Sequence, residues 1–244
     1  MKKENIMETL RKLGAIITGS HLVYTSGRHG EAYVNKDAVY PHADQTALLC
    51  NELARRFRAA TPDIVIAPAV GGVILSQWVA YHLTHMTGRE VLGIYAERTE
   101  TPLLKAHKDD TEVLVNGQTI LLQEGEELVV KRKSFVLKRG YDRLVRDRRA
   151  LIVEDVVTTG GSARKVVDAA RAAGAEVIGV GVLCNRGGEE AEAVVGVPNF
   201  SALTDIPLAT WDEDECARIG PCSRGVPINT DVGKGRDFLA RKKQ

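Results

Sequence analysis

The sequence predicts an α/β fold, a parallel sheet with helices packed on both faces. Three observations carry that expectation. Continuous apolar segments, DIVIAP (63–68), VLGIYAE (91–97), ALIVEDVV (150–157) and EVIGVGVL (176–183), alternate with segments of helical spacing. A strand apolar on both sides of its pleat belongs to a sheet buried on both faces, as parallel sheets are. The 244 residues, 44% hydrophobic and 27% charged, are enough for one core with an extension.

Each element follows from local pattern. Lys2 to Leu13 reads as an amphipathic helix closed by Gly14. Residues 43–60 carry Leu48, Leu49, Leu53 and Phe57 at helical spacing. After the 63–68 strand, the turn AVGG leads into a helix over 73–86, stopped by Gly88. The 150–157 strand is followed by the helix ARKVVDAARAA, closed by Gly174, and then by the 176–183 strand. Residues 98–148 break the rhythm. Asn116-Gly117 is a strong hairpin signal there, and the segment reads as a basic antiparallel ribbon inserted at about 98–140 between two core strands. From about Val197 the alternation is lost. The expected organisation is a core domain over 1–196 and an irregular extension over 197–244 that packs on it.

Charge and composition exclude several classes. The 33 basic and 32 acidic residues give no global attraction to nucleic acid or to a membrane surface, so an anion site must be local. No apolar run is long enough to span a bilayer, and the opening MKKENIMETLRKLG lacks a signal peptide's apolar stretch. Four cysteines in a chain of this length make no disulfide framework, so a cytoplasmic protein is expected.

The chemistry starts at LIVEDVVTTGGS (151–162). An apolar strand ends there in Glu154 and Asp155, at the edge where open parallel sheets bind ligands. Two carboxylates at such an edge cost free energy unless they hold a cation or hydrogen-bond a polyhydroxylated ligand. Thr158, Thr159, Gly160, Gly161 and Ser162 then supply hydroxyls and backbone N–H groups at a helix start, a phosphate cradle. The ligand implied has hydroxyls at one end and a phosphate at the other. The Walker pattern G-x-x-x-x-G-K-[ST] is absent.

VEDVVTTGGS resembles the phosphoribosyl pyrophosphate motif of the type I phosphoribosyltransferases. That resemblance implies a five-stranded parallel sheet flanked by helices, with a variable hood. It implies that Glu154 and Asp155 contact the ribose hydroxyls, and that the run from Val156 and Val157 through Ser162 holds the 5′-phosphate. Magnesium would bridge ribose and pyrophosphate oxygens, held mainly through the substrate with no dedicated protein site.

Three further segments resemble the orotate phosphoribosyltransferases. In YTSGRHGEAYVNKD (24–37), Ser26, Gly27, Tyr33, Asn35 and Lys36 fit that family's N-terminal pattern, with Gly30 where Ser is frequent. APAVGG (67–72) resembles the pyrophosphate loop, with Val70, Gly71 and Gly72 at the turn. In LCNRGGEE (183–190), Arg186 stands where the family meets the base, with Asn185 in place of the usual Asp. A guanidinium suits a carboxylated pyrimidine because it can bind the carboxylate in bidentate fashion. The resemblance further implies that Arg98, Lys105 and His107 belong to a basic loop assisting pyrophosphate departure, that Lys138 and Arg139 lie on the strand returning from it, and that the enzyme is a homodimer.

The function expected is transfer of phosphoribosyl from phosphoribosyl pyrophosphate to orotate, giving orotidine monophosphate and pyrophosphate. The alternatives are a purine or xanthine phosphoribosyltransferase, and a non-catalytic regulator that binds phosphoribosyl pyrophosphate. Cys216 and Cys222, spaced C-x₅-C, supply two ligands where a structural zinc needs four, unless histidines or another chain complete the set.

Overall fold

The structure is a computed structural model and describes residues 3–24, 26–106, 112–115, 118–121, 128–206 and 209–242. Helix α1 (Lys3–Lys12) ends at Gly14, which takes a left-handed φ of 68°. Strands β1 (Ile16–Val23) and β2 (His29–Val34) form an antiparallel hairpin. Helix α2 (Ala43–Phe57) buries Leu49, Leu53 and Phe57, while Leu48 faces outward. Strand β3 (Ile64–Pro68), helix α3 (Val73–Thr87) and strand β4 (Leu92–Ala106) follow. The insertion holds β5 (Glu112–Val115), β6 (Gln118–Leu121) and β7 (Leu128–Val136), and a short α4 (Tyr141–Leu144) closes it. The remainder comprises β8 (Arg149–Val157), α5 (Gly161–Ala172), β9 (Glu176–Asn185), α6 (Gly188–Val195), β10 (Phe200–Asp205), β11 (Thr210–Trp211), α7 (Glu213–Ile219) and α8 (Gly235–Arg241).

The main sheet has six strands in the order β10-β9-β8-β3-β4-β7. Its first five are mutually parallel, as expected, and β7 adds to β4 antiparallel. Alternate residues of one strand feed two cores. Val65 and Ala67 of β3 and Leu151 and Val153 of β8 pack with α1, α2 and α3 on one face. Ile64, Ile66, Ala150 and Ile152 pack with α5 and α6 on the other. This is why the strands read as unbroken apolar runs. Ile152 is fully buried, and Ile152→Ala is expected to cost about 2–5 kcal/mol in urea unfolding.

Strand order reverses between β3 and β8: β4 continues one way, and β9 and β10 the other. The pairing also stops early there. β3 and β8 are in register from Ile64↔Ala150 to Ile66↔Ile152, whereas β8 stays paired with β9 as far as Val157↔Asn185. The sheet therefore opens beyond Ile152, at the switch point where ligands of such folds bind.

Two boundaries differ from the sequence reading. β4 does not stop at Glu97 but runs on as one arm of the ribbon, paired with β7 from Glu97↔Val136 to Ala106↔Leu128. β5 and β6 form a further hairpin in register Val115↔Gln118, and Asn116-Gly117 lie outside the described residues. The stretch after Val197 is not all irregular. β10 is the edge strand of the main sheet, and β11 joins β1 and β2 in a second, three-stranded sheet. FSALTD has too few apolar residues in sequence to read as a core strand, because an edge strand is covered less completely.

Candidate active site

Glu154 and Asp155 sit just past the point where β3 and β8 part, and both are buried. Asp155 accepts hydrogen bonds from the Tyr40 hydroxyl at 3.0 Å and from the Val156 N–H at 2.7 Å. Burial raises the Tyr40 pKa far above the usual phenol range, and the neighbouring Asp155 carboxylate raises it further. The phenol therefore stays protonated and serves as a donor that orients the carboxylate. Tyr40→Phe is expected to leave the fold intact and to lower turnover about tenfold, since one hydrogen bond to a charged group is lost; steady-state rates beside a melting curve check this.

A cleft of about 440 Å³ lies between the two strands, lined by Asp37, Tyr40, Pro68, Ala69, Val70, Gly71, Ile74, Arg98 and Glu154. It faces the Val70-Gly71 turn towards Glu154 and places Arg98 at its rim. A second cavity of about 240 Å³ is lined by Arg98, Lys133, Phe135, Ser162 and Lys165, among others. Arg98 thus borders both the carboxylate cleft and the start of α5. Its guanidinium lies 5.9 Å from the centre of the Phe135 ring.

Residues 156–163 line a concavity of about 120 Å³ at the N-terminus of α5. Gly160 caps that helix with φ 75° and makes no side-chain cap hydrogen bond. The first-turn amides have no intrahelical acceptor by geometry and point towards an incoming anion. A Cβ at Gly160 would meet the Ala191 carbonyl oxygen at 2.5 Å. Gly160→Ala therefore combines left-handed strain with a backbone clash, and a loss of about 1–3 kcal/mol is expected in denaturant unfolding.

Arg186 follows β9 at the same edge. Its guanidinium carbon lies 5.4 Å from the centre of the Tyr24 ring, and its buried Nε has no hydrogen-bond partner among the described residues. Burial raises the Tyr24 pKa, against the opposing charge of Arg186. Tyr24 itself lies over Gly30, where a Cβ would come within 2.3 Å of its hydroxyl oxygen. Glycine in place of serine thus lets the tyrosine fold down over β2. Asn185, the other departure, is buried and internally satisfied: it donates to Glu192 at 3.1 Å and to the Gly188 carbonyl at 3.3 Å, and accepts from the Gly187 N–H at 3.1 Å. It shapes the turn that presents Arg186.

Other residues expected at the site do not line this cleft. Ser26 is exposed in the β1–β2 turn, Tyr33 pairs with Ile17 within the hairpin, and the Asn35 N–H donates to the Ala15 carbonyl at 2.7 Å. Lys36 opens the short turn Lys36–Ala38, whose Asp37 reaches the cleft. Gly72 caps α3 just behind the cleft. Lys138 and Arg139 do not line the cleft; both pair with Glu97, at 3.7 and 2.8 Å, and hold the base of the ribbon. In sequence, a cation for substrate and a cation for an ion pair look alike. The backbone of Lys105 lies on β4 opposite Val129, and His107 lies outside the described residues. Tyr40, Asp37, Lys133 and Lys165 carried no signal in sequence. Only the folded chain brings them to the site.

The family model of the phosphoribosyl transferase domain matches residues 40–213. The orotate phosphoribosyltransferase of Caldanaerobacter subterraneus is 31% identical over 228 residues, 93% of this chain and 96% of its own length. That of Desulforamulus reducens is 34% identical over 227 residues, 93% and 95% of the two chains. Among solved structures, orotate phosphoribosyltransferase from Mycobacterium tuberculosis superposes with a TM-score of 0.54 at 19% identity, covering 84% of this chain and 96% of that one. Adenine phosphoribosyltransferase from Thermoanaerobacter pseudethanolicus gives 0.52 at 16% identity, covering 84% and 100%. These superpositions speak to the fold alone, since neighbours acting on different bases fit equally well.

Proposed function

The chain belongs to the phosphoribosyltransferase family, with orotate phosphoribosyltransferases as its curated relatives, and on that premise we propose how it transfers phosphoribosyl to orotate. The observation that carries the reading is the opening of the sheet beyond Ile152, which faces the buried Glu154 carboxylate towards the Val70-Gly71 turn and Arg98 across one cleft, with buried Asp155 hydrogen-bonded to the Tyr40 hydroxyl on the cleft wall. A ligand seated there puts its ribose hydroxyls on Glu154 and Asp155, its 5′-phosphate on residues 156–162, and its pyrophosphate against Val70, Gly71 and Gly72. Arg186 takes the orotate carboxylate with the guanidinium donors it directs past Tyr24.

The reaction breaks the bond from the anomeric carbon to pyrophosphate and forms one to a pyrimidine nitrogen. Positive charge grows on the sugar and negative charge on the departing oxygen. Arg98 stands where it can meet the departing charge, and positioned cations of this kind contribute several kcal/mol, about 10²–10³ in rate. Lys105 and His107 are assigned the same task from sequence. Glu154 and Asp155 also present the hard oxygen atoms that magnesium takes. Magnesium, which would be held mainly through the substrate, would supply positive charge against the leaving group.

The assembly we assign is a homodimer. Leu48, Ile74 and Tyr81, on α2 and α3, are exposed apolar side chains that a second copy can cover, and light scattering of the purified chain tests it. No described helix is long and apolar enough to cross a membrane.

The reaction is tested by pyrophosphate release with magnesium, phosphoribosyl pyrophosphate and, in turn, orotate, uracil, hypoxanthine, xanthine and adenine. Release with orotate alone is expected. Release with a purine and not orotate would replace the assignment, and tight sugar-diphosphate binding with no turnover on any base would make the chain a regulator.

A further inference from the structure

His21 on β1, His29 on β2, Cys216 on α7 and Cys222 in the turn after it converge beside the hairpin. One ligand atom from each lies within 4.8 Å of all the others. His21, His29 and Cys216 are buried, and Cys222 is nearly so. The sulfur–nitrogen separations are 3.7 Å for Cys216 to His21, 3.6 Å for Cys222 to His21 and 3.6 Å for Cys222 to His29. A tetrahedral zinc, with bonds of about 2.3 Å to sulfur and about 2.05 Å to nitrogen, sets such atoms about 3.5 Å apart. The two imidazole nitrogens, His21 Nε2 and His29 Nδ1, stand 2.8 Å apart; an ion between them would spread them by about half an ångström.

We propose that His21, His29, Cys216 and Cys222 form a closed structural zinc site that clips the C-terminal segment to the β1–β2 hairpin. Three observations beyond proximity support it. His21 Nδ1 lies 2.8 Å from the Val226 carbonyl, which can only accept, so that nitrogen carries the proton and Nε2 presents its lone pair to the cluster. An outer partner that fixes the ring in this way is the usual companion of a ligating histidine. The Cys222 N–H donates to Cys216 Sγ at 3.3 Å, and the Cys216 carbonyl accepts from Gly220 and Ser223, so the chain wraps the sulfur in a tight turn. A Cβ at Gly220 would lie 2.9 Å from that sulfur.

The segment also needs a fastening. Among the described residues after 208, Cys216 and Phe238 are the buried hydrophobic side chains of the core. Its other contacts with the hairpin are polar: backbone bonds such as the Asn229 N–H to His21 carbonyl and the Lys234 N–H to Val23 carbonyl, both 2.7 Å, and exposed ion pairs of Arg28 with Glu215 and Arg224 with Glu31, which contribute little. Four protein ligands leave no open position, so the ion is structural and not catalytic. The metal-free alternative is a His21–His29 hydrogen bond beside two free thiols. It explains the 2.8 Å separation but gives the convergence of both cysteines no role.

The full chain, grown with zinc and purified without chelator, is expected to carry about one zinc per chain by mass spectrometry of its metals. After removal of zinc, cobalt(II) is expected to give the intense visible bands of a tetrahedral site and a thiolate charge-transfer band. Cys222→Ser and His21→Ala are expected to lower bound metal at least about tenfold and to lose those bands, while Asp155→Asn keeps both. Chelation is expected to lower the melting temperature of the wild type and not of Cys222→Ser. Wild-type protein with only trace metal and no cobalt bands, variants that keep a full equivalent, or a Cys216–Cys222 disulfide in reduced preparations would each overturn the proposal.

Discussion

Asp155→Asn and Glu154→Gln each lower turnover by about 10²-fold or more while leaving the melting temperature within a few degrees of wild type. The reasoning is local. Asp155 is buried and already accepts from Tyr40 and from the Val156 N–H. The two donors reach different oxygens, Tyr40 at Oδ2 and the Val156 N–H at Oδ1; an asparagine that keeps its oxygen on the Val156 N–H turns its amide nitrogen to the Tyr40 hydroxyl, whose oxygen can accept, so the fold keeps its partners and loses the charge. In the proposed reaction that charge binds the ribose hydroxyls while positive charge develops on the sugar, and removing one preorganised electrostatic group typically costs 10²–10³ in rate. Turnover at saturating substrates, measured beside thermal unfolding, separates the two effects. Activity within roughly threefold of wild type would mean that the pair is structural, its carboxylates serving only as turn and backbone partners.

Arg186→Ala raises the KM for orotate by about 10- to 100-fold, with a smaller change in the KM for phosphoribosyl pyrophosphate. A charge-assisted hydrogen bond contributes about 1.5–3 kcal/mol, which is that range of affinity. Arg186 has donors to give: among the described residues its buried Nε finds no partner, and its guanidinium lies beside the Tyr24 ring. Arg186→Lys is expected to recover little, because an ammonium cannot reproduce the planar fork that meets a carboxylate at two points. An unchanged orotate KM in Arg186→Ala would move base recognition to another part of the hood.

Much of this was legible before any coordinates. The strands could be read because a sheet covered on both faces demands unbroken apolar runs, and Ile64 to Ala67 and Leu151 to Val153 supply them to two cores. The carboxylates and the Thr-Gly turn could be read because they are neighbours in one strand–turn–helix unit, β8 to α5. What could not be read depends on distance along the chain. Tyr40 meets Asp155 from 115 positions away, and nothing around an ordinary tyrosine announces that. The pairing of Lys138 and Arg139 with Glu97, some forty positions earlier, has no local signal either. β10 was missed because an edge strand needs only part of the apolar content of a central one. The C-x₅-C pair was legible as half a site; His21 and His29 complete it only after the hairpin and the tail have packed together.

The most direct measurement is calorimetric titration of phosphoribosyl pyrophosphate, with magnesium, into wild-type protein and into Glu154→Gln/Asp155→Asn. One site per chain in the wild type, weakened at least about tenfold in the double variant with the fold intact, is the expected outcome, since each lost charge-assisted bond accounts for that factor or more. Equal affinity in the two proteins would contradict the placement of the ribose phosphate between the carboxylate pair and the first turn of α5.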